Sequence, residues 1–200
     1  ACRVEVMASR PDLTESFRAM EALVEAQPEG VQAEIARGVY MMSPRPSVKH
    51  GHTQIRLASL LDEQLGRREP PEVSDWFFLV EPEIRSEAAL SRLIPDVAGW
   101  RRSTGGWPNP EENPIALAPE WVAEVLSPNT EDFDRGPKKD AYGWMGVGWL
   151  WLIDVERRRI ETFANQRGRM VAGPTLSSAD SLGIEPFSSF AVSADAIFLR

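Results

Sequence analysis

The N-terminal part of the chain carries two helical patterns with a strand pattern between them. The first helix is expected to begin at Ser9–Asp12, and apolar residues recur at helical spacing behind it at Leu13, Phe17, Met20 and Val24. Residues 31–44, VQAEIARGVYMMSP, predict two short strands joined by a turn at Gly38. A second amphipathic helix is predicted from His50 to Leu65, with its leucines on one face.

Apolar runs bounded by proline and glycine predict a central sheet in the rest of the chain. The predicted strands cover residues 75–84, 93–100, 120–126 and 149–155, and residues 157–170 predict a further strand and a turn that form a hairpin with the last of them. A helix is predicted from about Pro137 to Met145, and the Gly-, Pro- and Asn-rich residues 103–119 predict a long loop. The pattern indicates one α/β domain over residues 1–200, with a mixed central β-sheet flanked by helices and an N-terminal helix and hairpin.

Composition adds three constraints to this prediction. The formal net charge is -8 and the pI is near 4.9, which argues against a protein that coats nucleic acid through charge alone. Cys2 is the only cysteine, so an internal disulfide and a cysteine-rich zinc site are excluded, and a reducing cytoplasm fits best. No apolar stretch approaches the roughly 18 residues of a membrane helix, and no membrane association is expected. Residues 1–8 are expected to be disordered, or to include residues added ahead of a natural start at Met7.

Three carboxylates stand out because they lie in or beside apolar strands, where an unpaired charge is costly: Glu83, Asp96 and Glu124. Two explanations of Glu124 stay open. One is a shared divalent cation, since Mg²⁺ binds carboxylate oxygens and neutralises like charges that would otherwise repel. The other is a salt bridge from Glu124 to Lys138 or to an arginine.

Lys138 is the residue that gives the carboxylates a chemical interpretation. Asp134 is a plausible cap for the predicted helix, and Lys138 would lie just inside its start, where it could face the carboxylates across the strand-to-helix turn. Hydrolysis of a phosphodiester with a metal ion requires a cation and gains from a nearby ammonium group. The alternative is an ordinary solvated lysine, whose charge is mildly unfavourable at a helix start.

The segments LIPDVAGWRR (93–102) and PEWVAEVLSPNTEDFDRGPKKDAYGWMGVGWLWLIDV (119–155) closely resemble the Uma-two family of restriction-endonuclease-like proteins, within the PD-(D/E)XK nuclease superfamily. AEIARGVYMMSPRP (33–46), the pair His50-Gly51, EPEI (81–84) and EPF (185–187) resemble the same family. The resemblance spans roughly Glu34 to the C-terminus. It implies a restriction-endonuclease-like fold and a DNA endonuclease that uses Mg²⁺ or Mn²⁺.

The resemblance also implies a set of site residues. Asp96 and Glu124 correspond to the two metal-binding carboxylates, the backbone carbonyl of Val125 to a further ligand, and Glu83 and Glu34 to additional acidic residues. The superfamily lysine normally lies two residues after the glutamate, where this chain has Leu126, and Lys138 matches its position on the following helix. Arg37 is a second departure, because relatives carry aspartate before the equivalent of Gly38.

Two further expectations follow from the motif residues and the resemblance. His50 matches a family position and is a candidate substrate contact or helix cap, while the His50-Gly51-His52 spacing lacks the third ligand of a zinc site. Family members tend to form dimers, which predicts a homodimer. The alternative function is a catalytically silent nuclease fold that serves as a binding or oligomerisation module.

Overall fold

The computed structural model describes residues 4–6, 13–28, 31–43, 45–66 and 75–199. The helices of these residues are α1 Leu13–Glu25, α2 Val48–Leu61, α3 Glu131–Phe133 and α4 Lys139–Met145, with π-helical turns at Asp62–Gly66 and Asp134–Lys138 and a 3₁₀ turn at Ala194–Ala196. The strands are β1 Val4–Val6, β2 Gln32–Ala36, β3 Val39–Ser43, β4 Trp76–Val80, β5 Ile84–Ser86, β6 Ser91–Leu93, β7 Val97–Arg101, β8 Trp121–Leu126, β9 Trp149–Asp154, β10 Arg159–Gln166, β11 Arg169–Ser177, β12 Ser181–Leu182 and β13 Val192–Ser193.

The larger sheet is mixed, as the sequence predicts. Among the described residues it has six strands in the order β11-β10-β9-β8-β7-β4, and β8 pairs with β9 in parallel while the other pairs are antiparallel. A second sheet of the described chain has the order β1-β3-β2-β6-β5, and its β2–β3 pair is the predicted hairpin with its turn at Gly38. Gly38 has a φ of 85°, a conformation that glycine adopts without strain.

Helices cover both faces of the six-stranded sheet, and every residue of β8 is accordingly buried. On one face Leu57 and Leu61 of α2 pack with a cluster that includes Trp121, Val125 and Trp151. On the other face Ala141 and Tyr142 of α4 pack with a cluster that includes Val122, Leu126 and Leu152. Helix α1 lies against the smaller sheet through a cluster of Phe17, Met20, Ala33, Ile35 and Tyr40.

The pairing of β7 with β8 places the two candidate metal carboxylates side by side. Val97 pairs with Ala123 in antiparallel register, so Asp96, one residue earlier, comes next to Glu124, one residue later. Side chains alternate along a strand, and Glu124 therefore faces the α4 side of the sheet together with Val122 and Leu126. The fold thus directs a carboxylate at the π-helical turn that carries Lys138.

Several predicted boundaries are wrong. The stretch 93–100 is not one strand, because β6 ends at Leu93 and β7 begins at Val97, so that Pro95 and Asp96 lie between them. Residues 75–84 likewise divide into β4 and the start of β5. Val4–Val6 pairs with β3 as a strand, so these three residues are not disordered, while the alternative expectation of an addition ahead of Met7 stays a prediction. The predicted helix start at 9–12 lies outside the described residues.

The helical segment after β8 begins at Glu131, six residues before the predicted start at Pro137. Pro137 lies inside the π turn Asp134–Lys138, where the wider backbone hydrogen-bonding pattern tolerates a residue without an N–H group. Asp134 is therefore an interior residue of this segment and not its cap. Within the described residues, no helix is both long and apolar enough to cross a membrane.

Candidate active site

An open cleft of about 170 Å³ lies where β7 begins and β8 ends. Four buried or largely buried carboxylates line it: Glu34, Asp96, Glu124 and Asp134. The segment between β3 and α2 forms one wall, with Arg45, Pro46 and Ser47, and the loop 127–130 between β8 and α3 forms the other. Most of the predicted site residues therefore share one cleft.

Lys138 is the counterion of the buried carboxylates. Its side chain is only 3% exposed, and Nζ lies 2.9 Å from Glu124 Oε1 and 2.8 Å from Glu34 Oε1. Nζ also donates to the carbonyl of Ile94 at 3.1 Å. An ammonium group has three N–H donors, and these three acceptors match them. The salt bridge that the sequence left open as one explanation of Glu124 is present, and the solvated-lysine alternative is wrong.

Asp96 is held by a second set of contacts. Its Oδ2 accepts a hydrogen bond from the Val125 N–H at 2.6 Å, and its Oδ1 lies 2.8 Å from His50 Nε2. His50 lies in the first turns of α2 and is itself buried. Both contacts orient the Asp96 carboxylate, so His50 contacts a candidate metal ligand. Whether His50 also contacts substrate stays a prediction.

Burial and crowding of like charges shift the proton affinities of the cleft groups. The pKa of Glu124 is raised well above its usual value because burial disfavours the charged form and the carboxylates of Asp96, Asp134 and Glu34 add to the effect, which Lys138 only partly offsets. Burial raises the pKa of Asp134 to about 7, again against the opposing charge of Lys138. The pKa of Lys138 is raised, because its carboxylate neighbours outweigh the effect of burial. One ammonium group therefore does not fully compensate the buried carboxylates, and Glu124 and Asp134 keep their protons to a higher pH than exposed carboxyl groups do.

The residues of the cleft fit a hard divalent cation that has few protein ligands and keeps several waters. In the described part of the chain, no three His, Cys, Asp or Glu side chains are grouped to hold a metal ion. Mg²⁺, however, is commonly bound by one or two carboxylates together with water. Asp96 and Glu124 supply two such groups, and the described contacts of Glu124 with Lys138 and with Tyr142 both fall on Oε1, which leaves Oε2 for a cation. Val125 also lines the cleft, while metal binding by its carbonyl stays a prediction.

Glu83 does not belong to this group. Its Oε1 lies 2.5 Å from Nε of Arg92 on β6, and Glu83 is not among the described residues that line the cleft. The placement of Glu83 at the site with Asp96 and Glu124 is corrected by this ion pair. Glu34, the other additional acidic residue, does line the cleft and contacts Lys138.

Sequence reasoning missed one residue of the cleft and one contact of Glu124. Asp134, which was expected to be a helix cap, lines the cleft, and its Oδ1 lies 3.9 Å from Lys138 Nζ. Tyr142 is a fully buried core residue whose hydroxyl donates to Glu124 Oε1. A signal for both was present in the sequence, since Asp134, Lys138 and Tyr142 are spaced four residues apart and such residues share one helix face.

A solved structure has the same fold as this chain. The crystal structure described as "a putative nuclease belonging to DUF820" from Anabaena variabilis ATCC 29413 matches with a TM-score of 0.67 and 17% sequence identity, over 90% of this chain and 96% of that chain. At this identity the likeness shows that the two proteins share a fold, and this fold is the mixed α/β architecture that the sequence predicts. No curated protein matches the chain.

The family follows from a second comparison. The model of the family described as "Uma2: Putative restriction endonuclease" matches residues 14–195. The chain therefore belongs to the Uma2 family, and the resemblance found in the sequence is confirmed.

Proposed function

We propose that this Uma2 protein is a DNA endonuclease that depends on Mg²⁺ or Mn²⁺. The observation that carries the proposal is the meeting of Asp96 and Glu124 at one end of two neighbouring strands, with the buried ammonium of Lys138 2.9 Å from Glu124. Membership of the family and the nuclease-like fold support the same conclusion. Asp96 and Glu124 would hold the cation, with the carbonyl of Val125 as a further ligand.

The groups around Asp96 and Glu124 have separate tasks in this proposal. A bound Mg²⁺ supplies Lewis acidity that polarises a phosphate oxygen and makes hydroxide accessible at neutral pH. His50 and the Val125 N–H fix the orientation of Asp96. Lys138 and Tyr142 fix Glu124, and Lys138 limits the repulsion between Glu124 and Glu34. Because acceptors match all three donors of Lys138, it acts here as a positioning group, and direct contact with the attacking water would require one of these bonds to break.

The test is the cleavage of supercoiled plasmid DNA by the whole chain. We expect nicked and linear products with Mg²⁺ or Mn²⁺ and none with EDTA. The Glu83→Gln variant is the matched control, because it removes an acidic residue of the family motif that pairs with Arg92 outside the cleft, and it should cleave like the wild type. Failure of the wild type to cleave with either ion would contradict the proposal. Loss of cleavage in the Glu83→Gln variant would indicate that Glu83 takes part in the site.

A silent nuclease fold is the second candidate, and one observation favours it. Both Asp96 oxygens and one Glu124 oxygen already have partners within the protein. Contacts within the protein therefore hold these two carboxylates in position without a cation. A binding or oligomerisation module of this kind would give no cleavage and would bind neither Mg²⁺ nor Mn²⁺ at these carboxylates. The expected homodimer and a cytoplasmic location are carried forward as predictions.

A further inference from the structure

The EPEI segment contains two glutamates, and the structure gives them different surroundings. Glu83, the predicted site residue, pairs with Arg92 outside the cleft. Glu81 lies two residues earlier, directly after β4, the strand that pairs with β7. Its backbone N–H donates to the carbonyl of Asp96 at 3.2 Å. The glutamate of this segment that contacts a candidate metal ligand is therefore Glu81.

Glu81 has a backbone conformation that is costly for a residue with its side chain. Its φ is 51°, in the left-handed region that glycine, asparagine and aspartate adopt more readily than other residues do. Such conformations persist where surrounding contacts fix them, and they are concentrated at functional sites. The contacts here are made by the carboxylate, whose Oε1 accepts from Gln54 Nε2 at 3.0 Å and whose Oε2 accepts from Gln32 Nε2 at 3.2 Å. Two amide groups thus hold the side chain of an exposed glutamate in one orientation.

Gln54 connects the Glu81 carboxylate to the backbone of Asp96. It is buried on α2, and the Nε2 that donates to Glu81 also donates to the Asp96 carbonyl at 3.1 Å. Both N–H groups of the Gln54 amide are therefore used. Together with the Glu81 N–H, this gives the Asp96 carbonyl two hydrogen bonds, one for each of its lone pairs. The backbone of Asp96 is thus fixed both by α2 and by the residue that follows β4.

Helix α2 also holds the carboxylate of Asp96. His50 and Gln54 are four residues apart and share one face of the helix. His50 Nε2 lies 2.8 Å from Asp96 Oδ1, while Gln54 bonds the carbonyl of the same residue. A ligand that is fixed at its backbone and at its side chain loses little further freedom when it binds. Residues that orient metal ligands in this way commonly contribute a factor of about 10–100 to metal affinity.

We infer that Glu81 and Gln54 act as one hydrogen-bonded unit that positions Asp96 and thereby sets the affinity of the cleft for its divalent cation. Both are positioning residues, because neither is among the described residues that line the cleft and both act through Asp96. The inference rests on the proposed function, in which Asp96 binds the ion, and it deepens that function. It assigns the contribution of the EPEI segment to Glu81 instead of Glu83.

The experiment measures Mn²⁺ binding to the metal-free full chain by isothermal titration at neutral pH, below the unfolding temperature of every variant. Glu81→Asn removes the carboxylate contacts and suits the positive φ, so the dissociation constant for Mn²⁺ should rise on the order of tenfold while the unfolding temperature does not fall. Gln54→Leu should weaken Mn²⁺ binding by a similar factor. Because the two residues act as one unit, the double variant should also be weakened only about tenfold, and not by the product of the two single effects.

Arg167→Asn is the matched control, because Arg167 also has a positive φ, of 56°, and is exposed in the turn between β10 and β11. It makes the same change of backbone preference outside the cleft and should leave Mn²⁺ affinity unchanged. A Glu81→Asn protein that binds Mn²⁺ like the wild type, or a double variant with the full product of the single effects, would overturn the inference. If the wild type binds Mn²⁺ and cleaves plasmid in that case, the proposed function stands and only the role of Glu81 and Gln54 falls. If the wild type neither binds Mn²⁺ nor cleaves, both fall.

Discussion

Replacing Asp96 with asparagine is expected to lower the rate of Mg²⁺-dependent DNA cleavage on the order of 100- to 1,000-fold. The amide has the shape of the carboxylate, and its oxygen still accepts from the Val125 N–H, so the contact that holds β7 to β8 at this point survives. The negative charge that would bind the cation is lost. The measurement is the initial nicking rate of supercoiled plasmid, together with the thermal unfolding curve of the variant.

Asp140→Asn is the control for this prediction. Asp140 is an exposed residue of α4, so Asp140→Asn makes the same carboxylate-to-amide change outside the cleft. It should leave both the rate and the unfolding curve unchanged. An Asp96→Asn protein that is folded and cleaves at the wild-type rate would remove Asp96 from the site.

Replacing Lys138 with methionine is expected to lower the free energy of unfolding by about 3–5 kcal/mol, because removal of one partner of a buried ion pair leaves the other charge without compensation. Here two carboxylates, Glu34 and Glu124, would lose their counterion. The measurement is urea unfolding at neutral pH. Lys139→Met is the matched control, since Lys139 is the next residue, is partly exposed and lies over the Phe163 ring, and its loss should cost only about 0.5 kcal/mol.

The Lys138→Met defect should also depend on pH, and the sign follows from Glu124. The pKa of Glu124 in the folded state is already raised by burial, and Lys138 is the group that opposes this rise. Without Lys138 the folded-state pKa rises further above the unfolded value, so the folded protein gains stability by keeping the proton at low pH and loses that stability as the pH rises. The difference in unfolding free energy between variant and wild type should therefore be smaller at pH 5 than at pH 8. A difference that is independent of pH would contradict the role of Lys138 as counterion of Glu124.

Local pattern was enough to predict much of the fold and the carboxylate pair of the site. The apolar residues on either side of Glu124 predict a strand covered on both faces, and the core clusters packed against its two faces agree with this. The proximity of Asp96 and Glu124 could be anticipated because the two predicted strands were candidates for neighbours. The register of these strands pairs Val97 with Ala123 and so places Asp96 and Glu124 next to each other in one cleft.

The errors arise where tertiary contacts decide the outcome. Glu83 and Arg92 are nine residues apart on either side of a short hairpin, and only the pairing of β5 with β6 shows that they meet. Pro137 predicts a helix start by its usual preference for the first turn, but a π turn accommodates it in the interior. The burial of Lys138 could not be predicted either, because it depends on β2 of the smaller sheet bringing Glu34 to the far side of the ammonium group.

The central claim is that Asp96 and Glu124 converge in order to share a divalent cation. Isothermal titration of Mg²⁺ and Mn²⁺ into the metal-free wild type at neutral pH tests it most directly, with Asp96→Asn and Glu83→Gln measured in parallel. We expect wild type and Glu83→Gln to bind the ion alike, and Asp96→Asn to show no binding at this site. Absence of binding to the wild type, or equal binding to the wild type and Asp96→Asn, would contradict the claim.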